Sequence, residues 1–460
     1  MTAATRVRTT HRCADCGATA PKWTGRCDGC GAWNSIHEEL DIDVRVTDLR
    51  ASGGPARPIA EVPLDGAVAM PTGMSELDRV LSGGLVPGSV TVMGGEPGVG
   101  KSTVLLQALA GLSEPGRRTL YVTAEESAHQ VRRRAERLGA LHPELYLATE
   151  TALPNVLAHL DDVAPAVAVI DSIQSLHDPA LSAAPGSVSQ VRHCAHQLVT
   201  HAKQNDRAVV IVGHVTKDGA LAGPRVLEHV VDTVLSFEGE RDLALRTLRA
   251  TKHRFGSTGE VGLLAMAEGG LVPVPDPSEL FLADRRPGVA GSVVAAAIEG
   301  RRPMLVEIQA LVASTRAPQA RRSVHGLDSG RVAMVLAVLQ QRVGISLAEL
   351  DTYAMAVGGA RVVEPAADLA VALAVASSTL ELALPDELVA CAEIGLGGEL
   401  RHVAGVEARL AEAARLGFRR AVVAASCPEV EAPLRLARAG TVRQALASAL
   451  ESPEFGPSHG

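Results

Sequence analysis

From about residue 70 to 274 the chain alternates short runs of β-branched residues with longer stretches of helical period, the pattern of a parallel α/β sheet. Strands are expected at residues 89–93, 119–123, 166–170 and 208–212, and helices at 102–112 and 128–138. Later runs at 233–237, 244–251 and 261–267 read as strands at the edge of the sheet. A second α/β unit is expected over residues 281–450, with apolar helices near 330–339 and 368–380. Ahead of the first unit, residues 1–37 form a cysteine module, and the Pro- and Gly-punctuated residues 38–69 read as a linker. VPVPDPSEL, at 272–280, reads as a second linker, and residues 451–460 as a frayed tail.

The chain has 460 residues, more than the ~100–200 of one domain, which agrees with this division. Five Phe, three Tyr and two Trp leave the cores to Ala, Val and Leu. A net charge of −8 excludes a polycationic protein, so any nucleic-acid contact has to come from local basic loops. No apolar run reaches the ~18 residues of a membrane span. The opening MTAATRVRTTHR has no apolar signal core, so a soluble cytoplasmic protein with no membrane partner is expected.

Four of the seven cysteines lie in one short module as Cys13-x-x-Cys16 and Cys27-x-x-Cys30. Two residues between thiolates let one turn aim both sulfurs at a single metal, and two such turns complete a tetrahedron. A structural zinc ribbon is expected, with all four positions filled by protein and its folding driven by the metal. Gly17 and Gly31 follow the second cysteine of each pair, where the turn needs a permissive backbone. Whether the ribbon touches DNA or protein stays open.

GGEPGVGKST contains Gly95-x-x-x-x-Gly100-Lys101-Ser102 between an expected strand and an expected helix, the setting of a phosphate-binding loop. The glycines let main-chain N–H groups turn inward, and the helix N-terminus adds favourable partial charge. Gly95, Glu96, Pro97, Gly98, Val99, Gly100, Lys101, Ser102 and Thr103 are the expected ATP-binding residues. Lys101 would reach the β- and γ-phosphates and Ser102 would ligate Mg²⁺. AVAVIDS supplies an apolar strand ending at Asp171, a partner for the metal through its water. YVTAEES ends a strand with Glu125, the expected general base, and Glu126, its alternative. His214, ending AVVIVGH, either senses the γ-phosphate or is a hydrogen-bonded core residue. Loops at 178–190 and 217–225 are rich in small residues and serve either as mobile binding loops or as passive surface, with Arg192, Lys217 and Arg225 as nearby cations.

PTGMSELDRVLSGGLVPGS, YVTAEES, VIDSIQSL, VGHVTKDGALAGPRVLEHVVDTVLSFEG and ATKHRFGSTGEVG follow the ribbon in an order that closely resembles the bacterial RadA (Sms) family of DNA-repair proteins. The resemblance covers essentially the whole chain. It implies a RecA-like P-loop ATPase core at 70–274 and a Lon-protease-like α/β domain at 281–450. The implied activity is DNA-dependent ATP hydrolysis that drives branch migration or unwinding of recombination intermediates. The implied partners are single-stranded and branched DNA, the RecA recombinase and further copies in a homo-hexameric ring, at the nucleoid.

KHRFG, at 252–256, is similar to the family's Lys-Asn-Arg-Phe-Gly signature, with His253 in place of the Asn. Lys252 and Arg254 alternate, so on a strand both would project to one face. They resemble the finger that related ring ATPases insert into a neighbour's nucleotide site; a solvated strand end or a DNA-backbone contact is the other reading. The C-terminal domain resembles the Lon proteolytic domain, whose chemistry uses a Ser nucleophile activated by Lys. Here Ala366 stands where the serine would be and Arg409 where the lysine would be, so a non-proteolytic domain is expected. Arg301, Arg302, Arg321 and Arg322 are either a DNA-facing patch or ordinary solvated surface. A Lon-like ATP-dependent protease and a nucleotide-switched adaptor are the competing functions. The first needs the absent Ser–Lys pair, and DNA stimulation of ATP turnover would exclude the second.

Overall fold

The computed structural model describes residues 7–13, 18–33, 35–42, 58–61, 68–214, 226–239, 245–315, 317 and 319–450. The chain divides into two units, Met1–Pro273 and Val274–Gly460. The first opens with a three-stranded antiparallel sheet of β1 (Val7–Cys13), β2 (Thr19–Ala20) and β3 (Ile36–Ile42), in the order β2-β1-β3. β1 pairs with β3 along its full length, from Val7 opposite Ile42 to Cys13 opposite Ile36. The small sheet therefore runs past residue 37, into what reads as linker in the sequence. Among the described residues its core holds Cys27 and Ile36, flanked by half-buried Ala18 and Ala20.

After α1 (Ser75–Val80), strand β4 (Val90–Gly95) leads into α2 (Lys101–Leu112). β5 (Thr119–Thr123), α3 (Ala128–Arg137), β6 (Leu145–Thr149), α4 (Leu153–Val163) and β7 (Val167–Asp171) follow. Next come α5 (Val188–Gln204), β8 (Ala208–His214), α6 (Val226–Val230) and β9 (Thr233–Glu238). β10 (Leu245–His253), β11 (Val261–Ala267) and β12 (Gly270–Pro273) end the unit. They make one nine-stranded sheet, ordered β12-β11-β10-β9-β4-β8-β7-β5-β6. From β9 to β6 neighbouring strands are parallel, and β10, β11 and β12 continue antiparallel.

Side-chain alternation divides this sheet between two cores. Met93, Tyr121, Val169 and Val210 face α1, α2 and α3, whereas Val92, Leu120, Ile170 and Ile211 face α4, α5 and α6. Burial on both faces is why β4 and β5 have no exposed position. β9 lies inside the sheet against β4, not at its edge as its run suggests. β6, α4 and α5 go unnoticed in the sequence. α4 opens on Leu153-Pro154, and a proline costs nothing in a first turn. α5 buries Ser189, Gln190 and His193 on its inner face, which blurs its period.

The residues read as a second linker, 272–280, are structured. Their start belongs to β12 and their end to α7 (Pro277–Leu282), which Asp276 caps by accepting from the Glu279 N–H at 3.0 Å. The second unit continues with β13 (Ser292–Glu299), β14 (Arg302–Ser314), β15 (Arg322–His325), α8 (Ser329–Val338) and β16 (Leu350–Ala356). α9 (Asp368–Leu380), β17 (Leu388–Cys391), β18 (Glu393–Ile394), β19 (Leu400–Arg401) and α10 (Val406–Arg415) come next. β20 (Arg420–Ala424), β21 (Arg435–Ala439) and α11 (Val442–Leu450) close it. A mixed seven-stranded sheet runs β15-β16-β14-β13-β17-β20-β21. α9 is buried from Asp368 to Ser377, packed against the sheet, α8 and α11, while α10 covers the other face.

Candidate nucleotide site

The loop from Gly95 to Gly100 joins the end of β4 to the start of α2. A Cβ at Gly95 would collide with the Phe237 carbonyl oxygen on β9, and Gly100 caps α2 at φ 115°, so both positions need glycine. Glu96, Pro97 and Gly98 are exposed, Val99 is buried, and Ser102 and Thr103 are half-buried on the first turn. Lys101 is buried, and its ammonium donates to the carbonyls of Gly95 at 2.7 Å and Glu96 at 2.9 Å. Burial pulls its pKa below the ordinary value, opposed by the nearby charges of Asp171 and Glu125. From β10 the buried Arg246 donates its Nε–H to the Val99 carbonyl at 3.1 Å, pinning the loop from residues 147 positions away. The sequence carries no local signal for that contact.

Asp171 ends β7 opposite Thr123 of β5, and a cis peptide joins it to Ser172. The Tyr121 phenol donates to Asp171 Oδ2 at 2.5 Å. Burial, then the Asp171 charge, pushes this phenol well above its ordinary pKa, so it stays protonated. Two residues past β5, Glu125 accepts from the Ser172 hydroxyl and from the Ser175 hydroxyl at 3.1 Å. Glu126 is held differently: Arg134 grips both its carboxylate oxygens at 2.7 Å. His214 ends β8 opposite Gly95. Its side chain lies outside the described residues, as do Lys217 and Arg225. The loop near 178–190 is tied to α5, where His193 bonds the Asp178 carboxylate at 2.8 Å and Gln190 bonds the Asp178 amide at 2.9 Å. Arg192 is exposed on the same helix.

The fold thus gathers the loop, Asp171, Glu125 and the end of β8 at the carboxyl edge of the parallel strands, where open α/β sheets bind ligands. Lys252 and Arg254 are not gathered there. His253 pairs with Thr233, and Thr233 with Thr91 at the start of β4, four strand steps (about 13 Å) before Gly95. Lys252 Nζ donates to the Glu228 and Val231 carbonyls at 2.5 and 2.7 Å, beside the end of α6. Burial lowers the Lys252 pKa, and neighbouring Arg254 lowers it further. Arg254, half exposed, bonds Asp232 Oδ1 at 3.0 Å, while Asp232 Oδ2 accepts from the Val90 N–H at 3.1 Å. His253 shares a hydrogen bond of 2.9 Å with the Thr233 hydroxyl.

In the ribbon, Cys27 opens a tight turn: its carbonyl accepts from the Gly31 N–H at 2.8 Å and its sulfur from the Gly29 N–H at 3.3 Å. Gly31 adopts φ 74°. An amide aimed at sulfur suits a metal-bound thiolate. Cys30 lies exposed on the same turn, whereas Cys13 closes β1 with its side chain, like all of Cys16, outside the described residues.

In the second unit Ala366 is buried in a short turn after Glu364. Arg409 is buried too, gripping both Glu364 oxygens at 2.7 Å and the Ala296 carbonyl at 2.7 Å. The arginine patch read from the sequence is only partly a surface. Arg302 is buried and donates to the Val274 and Pro275 carbonyls at 3.1 and 2.5 Å, and Arg322 reaches the Leu347 carbonyl at 2.7 Å. Arg301, Arg321 and Arg322 are exposed, so only Arg302 leaves the surface. Among the described residues no helix is long and apolar enough to cross a membrane.

The family described as KaiC, an ATPase, matches residues 70–153, the rubredoxin metal binding domain matches 11–38, and subunit ChlI of Mg-chelatase matches 354–426. The first unit accordingly has a RecA/KaiC-like P-loop ATPase fold behind a rubredoxin-like zinc ribbon, and the second a ChlI/Lon-like α/β fold. A KaiC-like protein of Pyrococcus horikoshii aligns over its whole length with 45% of this chain, at 20% identity and a TM-score of 0.38. The chain is 45% identical to the DNA repair protein RadA of Mycolicibacterium smegmatis, over 96% of this chain and 97% of that one. Identity is 46% to the protein of the same name from Halalkalibacterium halodurans, covering 91% and 93%. With that of Pseudomonas aeruginosa it is 47%, covering 94% and 96%.

Proposed function

The chain belongs to the RadA family of DNA repair proteins, with a KaiC-like ATPase domain, and from that premise we propose a DNA-dependent ATPase motor that drives branch migration and unwinding of recombination intermediates together with RecA. The observation that carries the reading is the meeting of Lys101, Ser102, Asp171 and Glu125 at one sheet edge, beside a loop that only glycine can turn. The loop's N–H groups would cradle the phosphates, with Lys101 leaving the Gly95 and Glu96 carbonyls to meet the β/γ oxygens. A hydroxyl in the first turn of α2 and a carboxylate at the end of β7 are a donor set that fits Mg²⁺, so Ser102 and Asp171 would hold it. Bound Mg²⁺ would supply charge neutralisation on the β- and γ-oxygens. Glu125, steered by Ser172 and Ser175, is the base that would polarise the attacking water.

Lys252 and Arg254 lie too far from their own loop to act on its nucleotide, so they are read as a finger for a neighbouring subunit's site in a homo-hexameric ring. Cys13, Cys16, Cys27 and Cys30 would hold one structural zinc. The second unit is read as non-proteolytic: the Ala366 methyl cannot attack a carbonyl, and Arg409, already paired with Glu364, is a poor base. Action on DNA would put the protein in the cytoplasm, at the nucleoid.

The test is ATP turnover by the zinc-loaded protein with and without single-stranded and branched DNA, beside Lys101→Ala. Stimulation by DNA, lost in Lys101→Ala, is expected. Equal rates with and without DNA, and no DNA binding, would refute the motor. Unchanged turnover in Lys101→Ala would refute the loop.

A further inference from the structure

We propose that Tyr121 is a positioning residue for hydrolysis, its phenol setting the Asp171 carboxylate for the metal that accompanies the nucleotide. The inference rests on the reading of the loop as an ATP site and adds a residue to it. Tyr121 sits in the middle of β5, among the most deeply buried side chains of the molecule. Its ring packs in the same core as Leu106, Val131 and Ala135, where a phenylalanine would fill the space equally well. A buried hydroxyl costs free energy unless it is bonded, so its presence there needs a reason. That reason is Asp171, whose Oδ2 accepts from the phenol in a 2.5 Å hydrogen bond across 50 residues of sequence.

With Oδ2 engaged, Oδ1 is the oxygen Asp171 offers to a metal-bound water, which reduces a freely rotating carboxylate to one defined acceptor. Partners of this kind orient metal ligands from behind, and their loss typically lowers metal affinity or activity on the order of 10–100-fold.

Tyr121→Phe removes one oxygen and keeps the ring in its core. Calorimetry with ADP in the presence of a chelator should give the wild-type Kd, since the loop and Lys101 are unchanged. Mn²⁺ binding to the ADP complex, followed by electron paramagnetic resonance, should weaken on the order of tenfold, and kcat should fall at fixed Mg²⁺ with partial recovery as Mg²⁺ is raised. In a cycle with Asp171→Asn, the double variant should be no slower than Asp171→Asn alone, because both changes act through one carboxylate. Unchanged Mn²⁺ affinity and kcat in Tyr121→Phe, or full additivity in the cycle, would overturn the assignment. If the wild type itself bound no nucleotide, the ATP-site reading would fall and this one with it.

Discussion

Glu125 and Glu126 are adjacent and chemically identical, yet their surroundings assign them different work. Glu126 is neutralised by the two-pronged grip of Arg134 from the last turn of α3, whereas Glu125 is held by two hydroxyls within electrostatic reach of Lys101. Glu125→Gln is expected to lower kcat by about 10²–10⁴ while nucleotide binding survives. Glu126→Gln should leave chemistry nearly intact and cost up to about 1 kcal/mol, as a partly exposed ion pair does. Pre-steady-state phosphate release and equilibrium ADP binding on both variants check this, and equal losses of kcat would remove the distinction. The glycine and lysine positions of the loop are legible in the sequence because their spacing is local. The choice between the two glutamates is not, because nothing in AEES marks which one Arg134 takes. Tyr121 is illegible for a related reason: in a strand of apolar neighbours it reads as filler, and only the fold brings Asp171 to its hydroxyl.

At the scale of elements, the nucleotide loop is shaped as much by β9 and β10 as by its own sequence. β9 lies so close that Gly95 has no room for a methyl, and β10 supplies Arg246 to the Val99 carbonyl. Gly95→Ala should therefore force β4 away from β9 and abolish ADP binding in calorimetry, while the second unit keeps its melting transition. In the second unit, Arg409→Ala should lower stability in chemical denaturation by about 3–5 kcal/mol, because Glu364 would stay behind without its partner. Strands such as β5 and β11 are read to the residue because unbroken apolar runs bounded by turns admit little else. The helix α5 escapes notice because its buried face carries Gln190 and His193, polar groups whose partners lie across the loop at Asp178. The residues read as a second linker mislead because prolines that look like breaks begin α7 and end β12.

At the scale of the whole molecule, the ribbon and the ATPase core have unequal means of holding together. Cys27→Ser should release about one zinc per chain and melt the module, because binding the metal is what would fold so small a unit, while the nine-stranded sheet keeps its cooperative transition. Zinc release to a chromogenic chelator, followed beside circular dichroism, reads both; loss of the main transition would show the ribbon to be part of the larger fold. Lys252→Ala or Arg254→Ala should keep nucleotide binding and lose motor action. Mixing either with Lys101→Ala should restore some turnover, and no rescue at any ratio would count against a shared site.

Arg254 and the phosphate loop lie at opposite rims of one sheet, so a solitary chain would own two half-sites that never meet. Specific activity would then climb with enzyme concentration and collapse on dilution, a kinetic order above one that no self-sufficient hydrolase displays.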